Sequence, residues 1–181
     1  MIFLLRILAA RAPAALKRRE MHSLFRVTAS AFGCAVPGIA GLSFGQCLSE
    51  YARFTRSEAV KLCSQDSDMN GARERLFQGG RGLGERIRRI FMLGTIEDAT
   101  SAMKILYDTI GIHARSEGCA MTVSSCYFSS IYSPETCGVL SALDDGIFNG
   151  LSGGGRLRFN RRITDGSACC RAEIIPAGGC R

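Results

Sequence analysis

The sequence predicts an α+β fold, in which a helical N-terminal half is followed by a small antiparallel sheet with one intervening helix. Apolar residues recur at helical spacing up to Gly111, whereas short alternating runs follow Gly118. Strands and helices do not alternate regularly, which argues against a parallel α/β fold. We expect a helical extension over residues 1–40 and an α+β domain over residues 41–181, because 181 residues allow one domain with at most an extension.

The first two helices are predicted from their terminal residues. Pro13 suits a first helical turn, and the apolar pattern after it runs to Gly33, a residue typical of a helix C-terminus. Ser43 and Gln46 form a capping-box pair, so a second helix is expected from there to about Cys63.

The third helical segment contains a run of glycines. It begins after Asn70, is expected to be interrupted between Gly79 and Gly84, and resumes to Met92. The glycine run has no Gly-Lys-Ser/Thr ending and no preceding strand, so a phosphate-binding loop is not predicted. We interpret the run as a bend or as a place where two backbones approach closely.

The fourth helix has a capping pair of its own, Thr95 and Asp98, and ends at Gly111. The elements expected after it are a strand over residues 119–128, a helix from Ser133-Pro134 to about Phe148, a glycine-rich loop over residues 150–155, and two strands over residues 157–164 and 168–174.

The net charge of +7 raises the question of a nucleic-acid partner. Basic residues concentrate at residues 6–19, 81–89 and 156–162, and the first two groups lie in helical segments, where a charge run is ordinarily a solvated face. No nucleic-acid motif accompanies them, so no such partner is expected.

The N-terminus is apolar, but arginines interrupt and follow it. We therefore expect neither a signal peptide nor a transmembrane segment. Residues 1–12 are expected to form a packed helix, and a helix on a membrane surface is the alternative.

Nine cysteines are an unusual number for a chain of this length. Their odd count and the absence of a C-x-x-C pair argue against a disulfide framework and against a zinc ribbon. We therefore expect a cytoplasmic protein with reduced thiols. By their positions, Cys34, Cys47, Cys63 and Cys119 are predicted to pack in the interior, and Cys169 and Cys180 to lie at the surface.

The last two strands are predicted to form a hairpin around Asp165-Gly166, a pair typical of a two-residue type I′ turn. The resulting register pairs Leu157 with Ile174 and places Arg161 opposite Cys170 on the apolar face. An arginine beside a cysteine favours the thiolate and lowers the pKa of the thiol. A bulge that turns Arg161 outward and leaves Cys170 as packing is the alternative.

Two more cysteines are candidates for chemistry. Cys126 shares the more polar face of its strand with Thr122 and Ser124, and Cys137 lies on a helical stripe with Ser141 and Asp144. No resident cofactor is expected, although a metal ion held by the thiolates of Cys126, Cys137 and Cys170 is an alternative.

The chain resembles a known family over about residues 80–175. The segments that carry the resemblance are Leu106–Ile112, Cys126, Cys137–Asp145, Phe159–Thr164 and the Gly166-x-x-x-Cys170 spacing. They are similar to the L-2-amino-thiazoline-4-carboxylic acid hydrolase family, whose members are bacterial cytosolic proteins. That family often carries a cysteine three residues before the aspartate, where this chain has Ser141. The cysteine-bearing hairpin also resembles 4-vinyl-reductase-type domains, which bind small ligands.

This resemblance implies a hydrolase that cleaves a C–N or C–S bond of a small heterocyclic carboxylate. The resemblance carries over Cys126, Asp144, Arg161, Thr164, Gly166 and Cys170. We predict Cys126, Asp144 and Cys170 as catalytic residues, and Arg161, Thr164 and Cys137 as substrate-binding residues. Cys170 or Cys126 would be the nucleophile, Asp144 would move protons, and Arg161 would bind the substrate carboxylate or stabilise the thiolate. The alternative function is a non-enzymatic module that binds a small ligand or a metal ion.

Overall fold

The structure, a computed structural model, describes residues 14–64 and 68–178. The described helices are α1 (Ala14–Phe32), α2 (Phe44–Ser64), α3 (Met69–Ile90), α4 (Ile96–Thr109) and α5 (Pro134–Ser152), and the strands are β1 (Ile112–Glu117), β2 (Ala120–Cys126), β3 (Arg156–Arg161) and β4 (Cys170–Ile175). The predicted α+β fold is therefore confirmed. The alternative of a membrane-surface helix over residues 1–12 and the expected surface position of Cys180 fall outside the described residues.

The four strands form one antiparallel sheet in the order β1-β2-β4-β3. The predicted pairing of Leu157 with Ile174 is confirmed. Strand β1 was not predicted, although its burial alternates regularly, because Ile112 is the one large apolar side chain on its inward face, where Ala114 and Ser116 follow. One face of the sheet packs on α4 and α5, and it forms one apolar core with them.

Helix α3 runs through the glycine run without a break, so the predicted interruption is wrong. The glycines instead allow α3 and α5 to pack backbone against backbone. A β-carbon on Gly84 would collide with the carbonyl oxygen of Ile147, and one on Gly150 of α5 would collide with the carbonyl oxygen of Arg81. The helical propensity lost at each glycine is offset by this close contact, which sets the position of α5.

Helix α1 packs into the same core as the rest of the chain. Phe25 is fully buried, and its ring lies 5.2 Å from that of Tyr51 and 5.8 Å from that of Phe54, both on α2. The capping pairs at the starts of α2 and α4 are also present, with Ser43 and Thr95 as the caps. Among the described helices, none is both long and apolar enough to cross a bilayer.

Candidate functional site

An apolar cavity of about 460 Å³ lies between the helices and the sheet. Most of its wall consists of aliphatic and aromatic side chains, among them Leu83, Ile87, Met103, Leu106, Leu140 and Ile147. The last turn of α3 forms part of its rim, where Ile90 is 64% exposed. A cavity of this size and lining suits a small apolar molecule.

The polar residues of this wall include most of the candidates that the sequence identified. Cys126 reaches the cavity from the end of β2, Cys170 from the start of β4, and Thr164 from the turn between β3 and β4. Cys137 and Asp144 reach it from α5. The structure therefore brings five of the six candidate residues to one cavity.

Helix α5 presents its polar stripe to the cavity, as the helical spacing predicted. Ser133 caps the helix by accepting the N–H of Thr136 at 3.2 Å, and Pro134 occupies its first turn. From that start, Cys137, Ser141 and Asp144 fall at spacings of four and three residues and all line the cavity.

A neighbouring carboxylate holds α5 against the sheet. Asp145 accepts hydrogen bonds from the guanidinium of Arg156, at 2.6–3.1 Å, and from the backbone N–H of Leu157 at 2.9 Å. This bidentate ion pair joins α5 to the first two residues of β3. Asp145 therefore orients the helix on which Asp144 points into the cavity.

Asp144 is a fully buried carboxyl in the cavity wall. Its pKa is raised from 3.8 to about 7; burial is the largest cause, and the negative charge of Asp145 acts in the same direction. The hydroxyl of Tyr107 and the positive charge of Arg162 act in the opposite direction. Near neutral pH the Asp144 carboxyl can therefore either donate or accept a proton.

The cavity thiols are not activated. Burial raises the pKa of the Cys126 thiol to about 11 and also raises the pKa of the Cys137 and Cys170 thiols. The backbone N–H of Ile163 and the charge of Arg162 both lower the pKa of Cys170, but burial outweighs them. The predicted lowering of this pKa is therefore wrong.

Arg161 is not beside Cys170. The register shifts between Phe159 and Arg161, so that Arg161 pairs with Arg171 and is exposed, while Cys170 pairs with Val123 of β2. The expected two-residue turn is also wrong, because a 3₁₀ turn over Ile163–Asp165 lengthens the connection. The shift is a β-bulge, in which one extra residue moves every following side chain of the strand to the opposite face. A bulge that turns Arg161 outward was the alternative considered from the sequence.

Arg162 occupies the position that Arg161 was expected to take. Its Nη2 donates to Oγ of Ser141 at 3.1 Å, its guanidinium lies 5.9 Å from the ring centre of Phe159, and its charge acts on Asp144. Sequence reasoning missed Arg162 and also Tyr107, whose hydroxyl lies beside Asp144 at the cavity wall. Tyr107 does fall within the Leu106–Ile112 segment that carries the family resemblance.

Three buried polar atoms lack a well-directed hydrogen bond among the described residues: the Tyr107 hydroxyl beside Asp144, Oγ1 of Thr164 beside Cys137, and Nε of Arg162. Each of these residues acts electrostatically on Asp144 or on a cavity thiol. Buried polar groups in native proteins ordinarily have a partner. Asp144, Tyr107 and Thr164 line the cavity and form what we call its polar end, whereas Arg162 is not part of the cavity wall.

Within residues 14–64 and 68–178, no three His, Cys, Asp or Glu side chains are placed to hold a metal ion together. Cys63 and Cys119 are exposed, so their predicted packing in the interior is wrong.

No protein-family model matches the sequence, and no curated protein matches it either.

Proposed function

We propose that this protein binds a small, mostly apolar molecule in the cavity, with a polar group of that molecule at Asp144. The observation that carries the proposal is that the Asp144 carboxyl and the hydroxyls of Tyr107 and Thr164 line a cavity whose wall is mostly apolar. The apolar wall supplies binding free energy through burial, and the polar end orients the ligand. The partner is then a small molecule of the cytoplasm, and nucleic acid has no part in this function.

Ligand binding can be measured with N-phenyl-1-naphthylamine, a probe whose fluorescence rises in apolar surroundings. The variant Leu106→Trp, which places a larger side chain in the cavity wall, should weaken probe binding by at least about tenfold. Val60→Trp is the matched control, because Val60 is half-exposed on α2 outside the cavity wall. Equal loss in both variants, or no saturable binding to the wild-type protein, would contradict the proposal.

The polar end is tested by displacing the probe with 1-octanol, whose hydroxyl can hydrogen-bond to Asp144. Asp144→Leu should weaken displacement by about fivefold, the value of one hydrogen bond, while probe affinity stays within twofold. If octanol displaces the probe equally well from both proteins, Asp144 does not orient the ligand.

Hydrolysis is the second candidate, because three thiols and an acid with a pKa of about 7 share one cavity. In this role the thiolate of Cys170 or Cys126 would attack the carbon of a C–N or C–S bond in a heterocyclic carboxylate such as an amino-thiazoline carboxylate. The leaving nitrogen or sulfur would take a proton from Asp144, and water would then release the product and restore the thiol. Thr164 and Cys137 would contact the substrate. Arg162 would have the role in substrate binding that the sequence predicted for Arg161.

The raised thiol pKa values work against this second candidate, since only the thiolate is nucleophilic. Alkylation with iodoacetamide between pH 6 and 10, followed site by site by mass spectrometry, separates the two functions. A binding protein should show the exposed Cys63 reacting at least about tenfold faster than Cys126 or Cys170 at pH 8. Hydrolysis would instead be supported by Cys170 reacting faster than Cys63, together with ring opening that Cys170→Ser abolishes and Cys63→Ser preserves.

A further inference from the structure

A second, polar groove shares Ser141 with the apolar cavity and lies between the start of α3, α5 and β3. It has a volume of about 490 Å³ and is lined by four arginines, Arg73, Arg156, Arg158 and Arg162. Neither function considered above uses Arg73, Arg156 or Arg158. Four guanidinium groups around one groove repel one another unless negative charge is present.

The two acidic residues of the groove already have partners. Asp145 accepts the bidentate contact from Arg156, and Glu74 accepts a hydrogen bond from Nε2 of Gln78 at 2.7 Å. Among the described residues, no carboxylate lies within 4.0 Å of a guanidinium nitrogen of Arg73, Arg158 or Arg162. Arg73, Arg158 and Arg162 therefore form no ion pair within 4.0 Å, although Glu173 is the register partner of Arg158 and Arg162 acts on Asp144.

Aromatic rings hold two of the guanidinium groups in place. Arg156 lies 4.8 Å from the ring centre of Phe77, and Arg162 lies over Phe159 with its Nη2 bonded to Ser141. Arg73 is also restrained, because its Nη1 donates to the carbonyl oxygen of Gly138 at 3.0 Å. Restraint before binding lowers the entropy lost when an arginine contacts an anion.

We propose that this groove is a binding site for a phosphoryl group, in which Arg73, Arg158 and Arg162 contact its oxygens. A phosphoryl dianion supplies the missing negative charge, and its oxygens match the planar donor pairs of arginine. The same group occurs in inorganic phosphate and in phosphate monoesters. The proposal does not require a ligand in the apolar cavity, and Arg73 and Arg158, the residues that test it, are not part of the cavity wall.

Isothermal titration calorimetry of the full chain tests this site, with inorganic phosphate and phenyl phosphate as probes at constant ionic strength. We expect saturable one-to-one binding that Arg158→Gln and Arg73→Gln each weaken by about tenfold, because each loses a charge-assisted hydrogen bond. Arg115→Gln, at an exposed position on β1, should bind like the wild-type protein. Tighter binding of phenyl phosphate identifies a monoester as the source, and equal binding identifies the free ion.

The proposal is overturned if neither probe gives saturable heat, if potassium acetate at the same ionic strength competes equally well, or if Arg115→Gln weakens binding as much as Arg158→Gln. Both groove positions, Arg73 and Arg158, are exposed, so the variants should fold. Thermal unfolding of each variant checks this before titration. A properly folded double variant with wild-type affinity would also overturn the proposal.

Discussion

The backbone N–H of Ile163 donates a hydrogen bond to Sγ of Cys170 at 3.3 Å, and both residues line the apolar cavity. This contact joins the 3₁₀ turn after β3 to the first residue of β4. It holds Thr164, the next residue of the turn, at the polar end of the cavity. Cys170 therefore acts on the shape of the site through its sulfur as an acceptor, with its thiol protonated at neutral pH.

Cys170→Ala should lower the free energy of unfolding by about 2 kcal/mol, because it removes a buried sulfur and leaves the N–H of Ile163 without an acceptor. Urea denaturation measures this change. Cys63→Ala, at an exposed position on α2, should change stability by less than about 0.5 kcal/mol. Equal values for the two variants would mean that the sulfur contact contributes nothing.

Asp144 should make the stability of the fold depend on pH. The Asp144 carboxyl has a pKa of about 7 in the folded protein, whereas an unfolded aspartate has a pKa of about 3.8. The protonated carboxyl therefore contributes fully to the stability of the fold below about pH 4, and this contribution is lost as the pH rises through 7. The free energy of unfolding of the wild-type protein should therefore fall relative to that of Asp144→Asn, by about 4 kcal/mol between pH 4 and 8.

Urea denaturation of both proteins at half-unit pH intervals gives this difference directly. Asp165→Asn removes an equal charge at an exposed position and controls for the net charge. A difference between wild type and Asp144→Asn that stays constant from pH 4 to 8 would show that burial does not hold the proton on Asp144.

Gly84→Ala and Gly82→Ala should have opposite effects on stability, although both glycines lie in α3. A β-carbon at residue 84 would collide with the backbone of α5, whereas nothing lies within 4 Å of one at residue 82. We expect a loss of about 3 kcal/mol for Gly84→Ala through overpacking and a gain of about 0.5–1 kcal/mol for Gly82→Ala through helical propensity. Thermal and urea unfolding of the two variants test this, and a stabilising Gly84→Ala would disprove the close packing.

Asp145→Asn should destabilise the protein by about 2 kcal/mol, since it weakens the bonds to Arg156 and Leu157 that hold α5 on β3. The value is lower than for a fully buried pair because the side chain of Arg156 is 41% exposed. Glu74→Gln, in the same groove but exposed, is the control and should change stability by less than about 0.5 kcal/mol. The midpoint of urea unfolding distinguishes the two outcomes.

Local sequence signals predicted the elements that carry strong terminal residues. The caps at Ser43, Thr95 and Ser133 act within one helical turn, so their effect does not depend on the rest of the fold. The glycine run was wrongly predicted to interrupt α3, because a glycine gives the same sequence pattern in a bend and in a close contact between two helices. Only the position of α5 distinguishes these cases.

The sequence alone determined the α+β architecture and, through helical phase, the stripe that carries Cys137 and Asp144 to the cavity. Cys126, Thr164 and Cys170, which the sequence also named as candidates, line the same cavity. The tertiary structure decided that Arg162 rather than Arg161 acts on that site, because a bulge reverses the faces of a strand without changing its composition. The tertiary structure also decided that the pKa values of the Cys170 thiol and the Asp144 carboxyl are raised, because their burial depends on residues far away in the chain.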